Sequence, residues 1–297
     1  MLLGDFYKGE KIAISLELFP PKTAEGEELL FRNISELMAF KPSYVTCTYG
    51  AGGSSQNRTL DIVTRVHNEF SVHVAAHLTC AGQSAEGLRA FLRDAASRHV
   101  DFIVALRGDP PAGEVEFSPV PGGLTHADEL VRLIRQEFPV FGVAVAGYPE
   151  THQEARSRNS DIEHLKRKVE SGADIVITQL FYDNEDYYRF RDRCEAMGIH
   201  VPIVPGILPV TNLAQIKRLT SLCGAALPPG LLARLEAHVD NPEGQFDVGV
   251  YHATRQVEEL VSRGCSGVHF YCLNRSRAVA TILRALTLPW MTVQHRG

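Results

Sequence analysis

The sequence has little of what marks a disulfide scaffold, a nucleic-acid binder or a membrane protein. Its six cysteines, Cys47, Cys80, Cys194, Cys223, Cys265 and Cys272, are scattered over 297 residues with no CxxC pair. A cross-linked framework is not expected at this length, and a zinc site lacks its ligand spacing. Most of these thiols are expected to be small buried hydrophobes. The formal net charge is −5 and no long basic run occurs, so the electrostatic footprint of a nucleic-acid partner is missing. Taken alone, Lys166-Arg167-Lys168 reads as a solvated helix face. No stretch approaches the roughly 20 apolar residues that span a bilayer. The opening MLLGDFYKGEK lacks a secretion signal's apolar segment. The expectation is a cytoplasmic protein with no membrane and no nucleic-acid partner.

What is present is an alternation. Hydrophobic residues make up 44% and charged residues 22%, enough for a sizeable core. Eight apolar, β-branched runs read as strands: Ala13–Phe19, Ser43–Tyr49, Val72–Leu78, Phe102–Arg107, Val140–Ala146, Asp174–Leu180, Pro202–Ile207 and Gly267–Cys272. Stretches of helical period lie between them, such as Gly26–Phe40, Ser84–Arg98, His126–Glu137, Asp161–Ser171, Asn184–Met197 and Asn212–Leu222. Alternating strands and helices imply a parallel sheet covered by helices. Eight units, the first seven about 30 residues apart, suggest closure into a (β/α)₈ TIM barrel. An open doubly wound sheet is the competitor. It would normally carry GxGxxG after its first strand, where this chain has Phe19-Pro20-Pro21-Lys22. Residues 1–297 therefore read as one α/β domain. Pro228–His238 and Val248–Arg263, joined by the polar Asp240–Gln245, read as an extra helix before the last barrel helix. Ala112–Gly123 reads as a long loop after strand four.

A barrel of this kind places its chemistry where strands end. Along strand one Ile12, Ile14, Leu16 and Leu18 share one face, and Ala13, Ser15 and Glu17 share the other, pointing into the barrel. Glu17 is thus a carboxylate near the barrel top. Burial favours the neutral form of a carboxyl, which suits a general acid near neutral pH; the bland alternative is an ion pair with Arg107 or another internal base. Tyr44, Thr46 and Thr48 share one face of strand two, before the glycine-rich Gly50–Gly53. His77 ends strand three. Arg107-Gly108-Asp109 ends strand four as either a local salt bridge or a ligand clamp. Gln179, in phase with Ile175 and Ile177, offers both a donor and an acceptor. The collection lacks a nucleophile pair and a clustered metal set, so no metal is expected. It fits a site that orients an organic cofactor while one carboxylate moves a proton.

Ser15-Leu16-Glu17-Leu18-Phe19-Pro20-Pro21-Lys22 resembles the opening motif of methylenetetrahydrofolate reductases. The resemblance continues through VTCTYGAGGSS, AAHLTC, ALRGDPP, GYPETHQEA, LKRKVESGAD, ITQLFYD, PGILPVTN and HFYCLNR, in family order over nearly the whole chain. It is to the catalytic barrel alone, as in the bacterial type. It implies FAD held non-covalently at the barrel top and two half-reactions at one flavin face. NADH or NADPH gives hydride to the flavin and leaves; 5,10-methylenetetrahydrofolate then binds, opens to an iminium ion and is reduced to a methyl group. It implies that Glu17 is the acid for ring opening, that Asp109 binds folate and tunes the flavin, that Gln179 holds the pterin and that Arg275 lies near the folate. Thr48, Tyr49, Ala51, His77, Arg107, Gly108, Asp109, Ala127, Tyr148, His152, Asp161, His164, Arg167 and Lys168 fall on family FAD-contact positions. Arg167 and Lys168 would then neutralise a pyrophosphate. Relatives in the bacterial group are oligomers, so a homo-oligomer is expected. Two departures stand out: Cys272 where HFYTLN is common, and Leu213 where an aromatic usually follows Thr211-Asn212. Leu213 can cover a ring but cannot stack on it in the same way. The readings set against the resemblance are a proline dehydrogenase-like flavin barrel, a phosphate-binding lyase or isomerase barrel, and a non-catalytic binding barrel.

Overall fold

The computed structural model describes residues 3–9, 11–48, 56–110 and 117–286. Nine strands form one sheet, in the order β7-β6-β5-β4-β3-β2-β1-β9-β8. They are β1 (Ala13–Leu18), β2 (Tyr44–Cys47), β3 (His73–Thr79), β4 (Phe102–Leu106), β5 (Gly142–Gly147), β6 (Ile175–Thr178), β7 (Ile203–Val204), β8 (Gly206–Ile207) and β9 (Gly267–Tyr271). Every strand pairing is parallel.

The seventh expected strand, Pro202–Ile207, is cut into β7 and β8 at Pro205, which has no N–H to give to a ladder. β7 pairs with β6, and β8 pairs with β9, so the two pieces together close an eight-membered circle. At the upper part of this seam side chains replace ladder bonds. The Gly206 N–H donates to Thr178 Oγ1 at 2.9 Å, and the Tyr271 hydroxyl donates to the Thr178 carbonyl at 2.7 Å. Only glycine fits there, because a Cβ on Gly206 would stand 2.3 Å from the Thr178 carbonyl oxygen.

The helices are α1 (Ala24–Met38), α2 (Gln56–Phe70), α3 (Ala85–Ser97), α4 (Ala127–Glu137), α5 (Arg158–Glu170), α6 (Asn184–Ala196), α7 (Leu213–Cys223), α8 (Pro229–Glu236), α9 (Pro242–Ser262) and α10 (Arg277–Ala285). Their starts are set by local chemistry. Thr23, Ser84 and Asn212 each accept a backbone N–H of the first turn, and Ser157 forms a reciprocal capping box with Ser160. α7, α8 and α9 lie between β8 and β9, and α10 follows β9. The stretch Asp240–Gln245 is not a linker throughout: α9 begins inside it at Pro242, capped by Asn241, because proline is well suited to the first helical position. No helix among the described residues is long and apolar enough to cross a membrane.

The alternation of β1 is as expected. Ile14, Leu16 and Leu18 belong to the main core between sheet and helices, and Ala13 belongs to the cluster inside the barrel. Tyr44, Ala75, Phe102, Val104, Ala144, Ile175 and Ile177 fill the interior with Ala13. The 3₁₀ turn Leu3–Tyr7 plugs its lower end. Phe6 packs on Tyr44, His73 and Phe102 with ring centroids 5.5–5.9 Å apart, and the Tyr7 and Tyr44 hydroxyls are 2.7 Å apart. A third cluster lies under α7 and α8, built on Leu180, Tyr182, Leu208 and Leu231. With apolar layers below and outside, the open end of the barrel is left for polar groups.

Candidate functional site

Glu17 is the last inward residue of β1 and is only 7% exposed. Its register partners are Thr46 on β2 and Tyr271 on β9. Two imidazoles meet one of its oxygens: His77 Nε2 and His269 Nε2 both lie 3.4 Å from Glu17 Oε2. The two contacts differ in kind. His269 is aligned as a hydrogen-bond partner, whereas His77 Nε2 is buried with no partner in hydrogen-bond geometry. On its other nitrogen, Nδ1, His269 meets Ser15 Oγ at 2.8 Å. His269 is fully buried, and the Tyr271 ring stands on it edge to face, with centroids 5.2 Å apart. Burial pushes the His77 imidazole below its usual pKa, against the pull of Glu17 and with the push of His269. Among the described residues no group of His, Cys, Asp and Glu is arranged to hold a metal.

Arg107 does not pair with Glu17. Its guanidinium grips Glu154 with two bonds of 2.6 and 2.9 Å and also donates to the Gly108 carbonyl. The hydrogen bonds to Glu154 hold Arg107 above its usual pKa and Glu154 below its own. Gly108 has φ +88, and a Cβ there would meet the Ala81 Cβ at 2.7 Å, so the turn requires glycine. Asp109 is exposed and faces Arg107 and Tyr148.

From there an arc of expected cofactor positions runs over β5 and α5. Tyr148 and His152 meet edge to face at 4.6 Å. Burial raises the Tyr148 phenol well above its usual range, and Asp161 and Asp109 add to the effect. The His152 backbone N–H donates to Asp161 at 3.0 Å, and His152 Nδ1 accepts the Glu154 N–H. Burial lowers both His152 and His164. Lys168 turns inward, and Nζ donates to the Ala146 carbonyl at 2.5 Å. Burial brings its pKa down to about 8, although Asp161 and Asp128 favour the charge. Arg167 and His164 are exposed on the same helix, and Ala127 opens the neighbouring α4.

Elsewhere on the rim, Thr48, directly after β2, donates its backbone N–H to the Leu18 carbonyl at 2.9 Å. Gln179 follows β6 on the inward face; its Oε1 accepts the Leu180 N–H, and it shares a small cavity with Tyr148, Glu150, Thr151 and Leu180. Arg275 is exposed beyond β9. Asn274 beside it, at φ +57, clamps both backbone groups of Phe19 at 2.8 Å and so ties the end of β1 to this loop. Tyr49 and Ala51 lie outside the described residues. Leu213 is 6% exposed and packs within the cluster under α7 and α8.

Four further residues at the site are not among the candidates singled out in the sequence. His269 and Tyr271 were visible as the end of the last strand, and the two-residue period would have put both inward with Ser15 and Glu17. Glu154, which holds Arg107, carries no local signal. Glu150 is the fourth: its Oε2 accepts the Ala226 N–H, its Oε1 is buried and unpartnered, and burial raises its carboxyl to about 7.

Comparison with known proteins matches residues 3–287 to the family described as methylenetetrahydrofolate reductase. The chain is 39% identical over 276 residues to 5,10-methylenetetrahydrofolate reductase of Escherichia coli, covering 93% of this chain and 91% of that one. It is 38% identical over 286 residues to methylenetetrahydrofolate reductase (NADH) 1 of Arabidopsis thaliana, covering 93% of this chain and 48% of that one. It therefore spans about half the length of the plant relatives it matches. A solved structure from Clostridium thermocellum, of an uncharacterized protein that binds two copies of 5-methyl-5,6,7,8-tetrahydrofolic acid, superposes with a TM-score of 0.62. It covers 94% of this chain and 95% of its own, at 14% identity, a likeness of fold.

Proposed function

Because the chain belongs to the methylenetetrahydrofolate reductase family, we propose that it reduces 5,10-methylenetetrahydrofolate to 5-methyltetrahydrofolate, with NADH or NADPH as hydride source and FAD as cofactor. The observation that carries this reading is the position of Glu17. It is a carboxyl group buried at the open end of an apolar barrel, with one oxygen occupied by imidazoles.

The residues present fit FAD. Lys168 is a cation whose charge burial disfavours and whose head group has a backbone carbonyl as its bonded partner, so an anionic group beside it would relieve that cost. Arg167, exposed one position earlier, adds a second cation. Tyr148, His152 and Asp161 supply an aromatic face, an imidazole and a carboxylate along the same arc, and the left-handed turn at Gly108 lets backbone approach a flat ring. When bound, FAD supplies reversible two-electron hydride chemistry that no side chain can provide.

The rest of the work belongs to the chain. Glu17 holds a proton at the barrel mouth and passes it to an imidazolidine nitrogen of the folate as the ring C–N bond breaks, leaving the iminium carbon as hydride acceptor. Gln179 and Asp109, on the rim on either side of Tyr148, orient the pterin through its donor and acceptor edge. Arg275, exposed past β9, meets the anionic end of the folate. The apolar interior beneath keeps water away from the iminium carbon.

A visible absorption spectrum tests the reading directly. The purified protein is expected to show a flavin spectrum that bleaches anaerobically with NADH or NADPH and returns on addition of methylenetetrahydrofolate. A colourless protein that cannot be reconstituted with FAD overturns it.

A further inference from the structure

An acid at Glu17 can bear its proton on either of two oxygens, and the histidine on β9 distinguishes them. Glu17 Oε2 faces His77 and His269, and of the two only His269 is aligned to share a hydrogen with it. Oε1 makes no hydrogen bond with any described group, so it is the oxygen available to a substrate. Which nitrogen of His269 carries hydrogen is governed by its far side. Ser15 Oγ lies 2.8 Å from Nδ1, and the Ser15 hydroxyl also faces the phenols of Tyr7 and Tyr44 in the barrel floor. A serine hydroxyl has one hydrogen and two lone pairs. The Tyr7–Tyr44 hydrogen bond uses one of the two phenol hydrogens; with the other given to Ser15, Ser15 gives its own hydrogen to Nδ1.

We propose that Ser15 and His269 are positioning residues for this reaction: Ser15 donates to Nδ1, holding His269 as the Nε2–H tautomer, and the Nε2–H donates to Glu17 Oε2, so that the acidic proton resides on Oε1, toward the folate. The arrangement rests on the function proposed above and adds to it the device that aims the acid. It needs no imidazolium in the barrel, where a charged ring would lack solvent. Oε2 accepts the same bond before and after proton transfer, so the pair does not reorganise as Glu17 ionises. The opposite tautomer would turn a lone pair toward Oε2 and draw the acidic proton there, away from substrate. The other titratable groups that feel the Glu17 charge are His77 from β3 and Tyr271 from β9 and, from the outer face of the sheet, Cys47 and Cys272. None of them bonds to both Glu17 and Ser15.

The test is ¹⁵N NMR of the full-length purified protein with labelled histidine, the His269 resonances being assigned by their loss in His269→Gln. The expected result is an Nε2–H ring on both sides of the titration of Glu17, followed by the ¹³C resonance of its carboxyl carbon. In Ser15→Ala the ring becomes a mixture of tautomers, and Ser15→Cys, which keeps a rotatable donor, restores the single form. A ring that is Nδ1–H in the native protein, or doubly protonated near pH 7, overturns the proposal. So does a Ser15→Ala protein that folds and keeps the Nε2–H form. Kinetics give a second readout. Losing one hydrogen bond in His269→Leu is expected to lower folate reduction roughly tenfold and to move the alkaline limb of its pH profile upward, because the carboxylate loses a donor. His269→Gln, whose amide can still donate, recovers most of the rate; an unmoved limb in the leucine variant counts against the proposal. A wild-type protein inactive on folate would sink the proposed function and leave the NMR result to stand separately.

Discussion

The two ends of the barrel are built on opposite principles. At the floor, Phe6, Tyr44 and Phe102 interlock as rings, Leu3 is fully buried, and the two tyrosine hydroxyls satisfy each other. At the mouth, Glu17 is a buried carboxyl, His77 has a buried nitrogen without a partner, Lys168 is a cation held by a carbonyl, and Glu150 has an unpartnered oxygen. The floor spends its residues on stability and the mouth spends stability on chemistry, a division general to this fold. The contrast also explains why the mouth is legible as a site without any ligand: its costs have no return within the folded chain itself.

Substitutions at each end should separate the two roles. Glu17→Gln is expected to cost folate reduction on the order of 10²–10⁴-fold while flavin reduction by NADH persists. Stopped-flow of the two half-reactions checks this, and normal folate turnover by the variant would remove Glu17 from the acid role. Phe102→Ala, at the floor, is expected to lose about 3–5 kcal/mol of stability in urea denaturation, with turnover per folded molecule unchanged. A comparable loss of turnover would mean that the ends are not independent.

Lys168 sharpens the comparison through pH. Its folded value of about 8 lies below the ordinary 10.5, so between those values the unfolded chain binds more protons. Stability of the cofactor-free protein therefore rises with pH across that window. FAD affinity should do the reverse, weakening several-fold between pH 7 and 9 as the cation is lost; fluorescence titration of wild type against Lys168→Arg measures it. The smallest effect is expected at the rim. Arg107 and Glu154 are 24% and 49% exposed, so Glu154→Gln should change the denaturation midpoint by less than about 1 kcal/mol in stability terms.

Most of the fold was readable because a buried parallel strand and a surface helix have different periods, and these segments keep them. The inward face of β1 and the in-phase position of Gln179 followed from side-chain alternation alone. The break at Pro205 was also written in the residues, yet its consequence was not, because the side chains that bridge it lie about 30 and 65 residues away at Thr178 and Tyr271. The site divided in the same way. Glu17, Arg107 and Lys168 could be named from their motifs, but the partner of each is distant in sequence: His269, Glu154 and the Ala146 carbonyl. Periodicity tells which way a side chain points, and register across the barrel decides what it meets. The Arg107–Glu17 ion pair, plausible from the sequence, fails because both hydrogen-bonding edges of the guanidinium are taken by Glu154 and Gly108.

The stitched seam has a mechanical consequence. A ladder of backbone bonds distributes a local distortion along two strands, whereas a single phenol reaching across to Thr178 concentrates it at one ring. That same Tyr271 ring is the wall against which His269 rests. The clasp that sets the girth of the cylinder therefore also sets the tilt of the imidazole, and the barrel cannot breathe at this point without detuning the group beside the carboxyl.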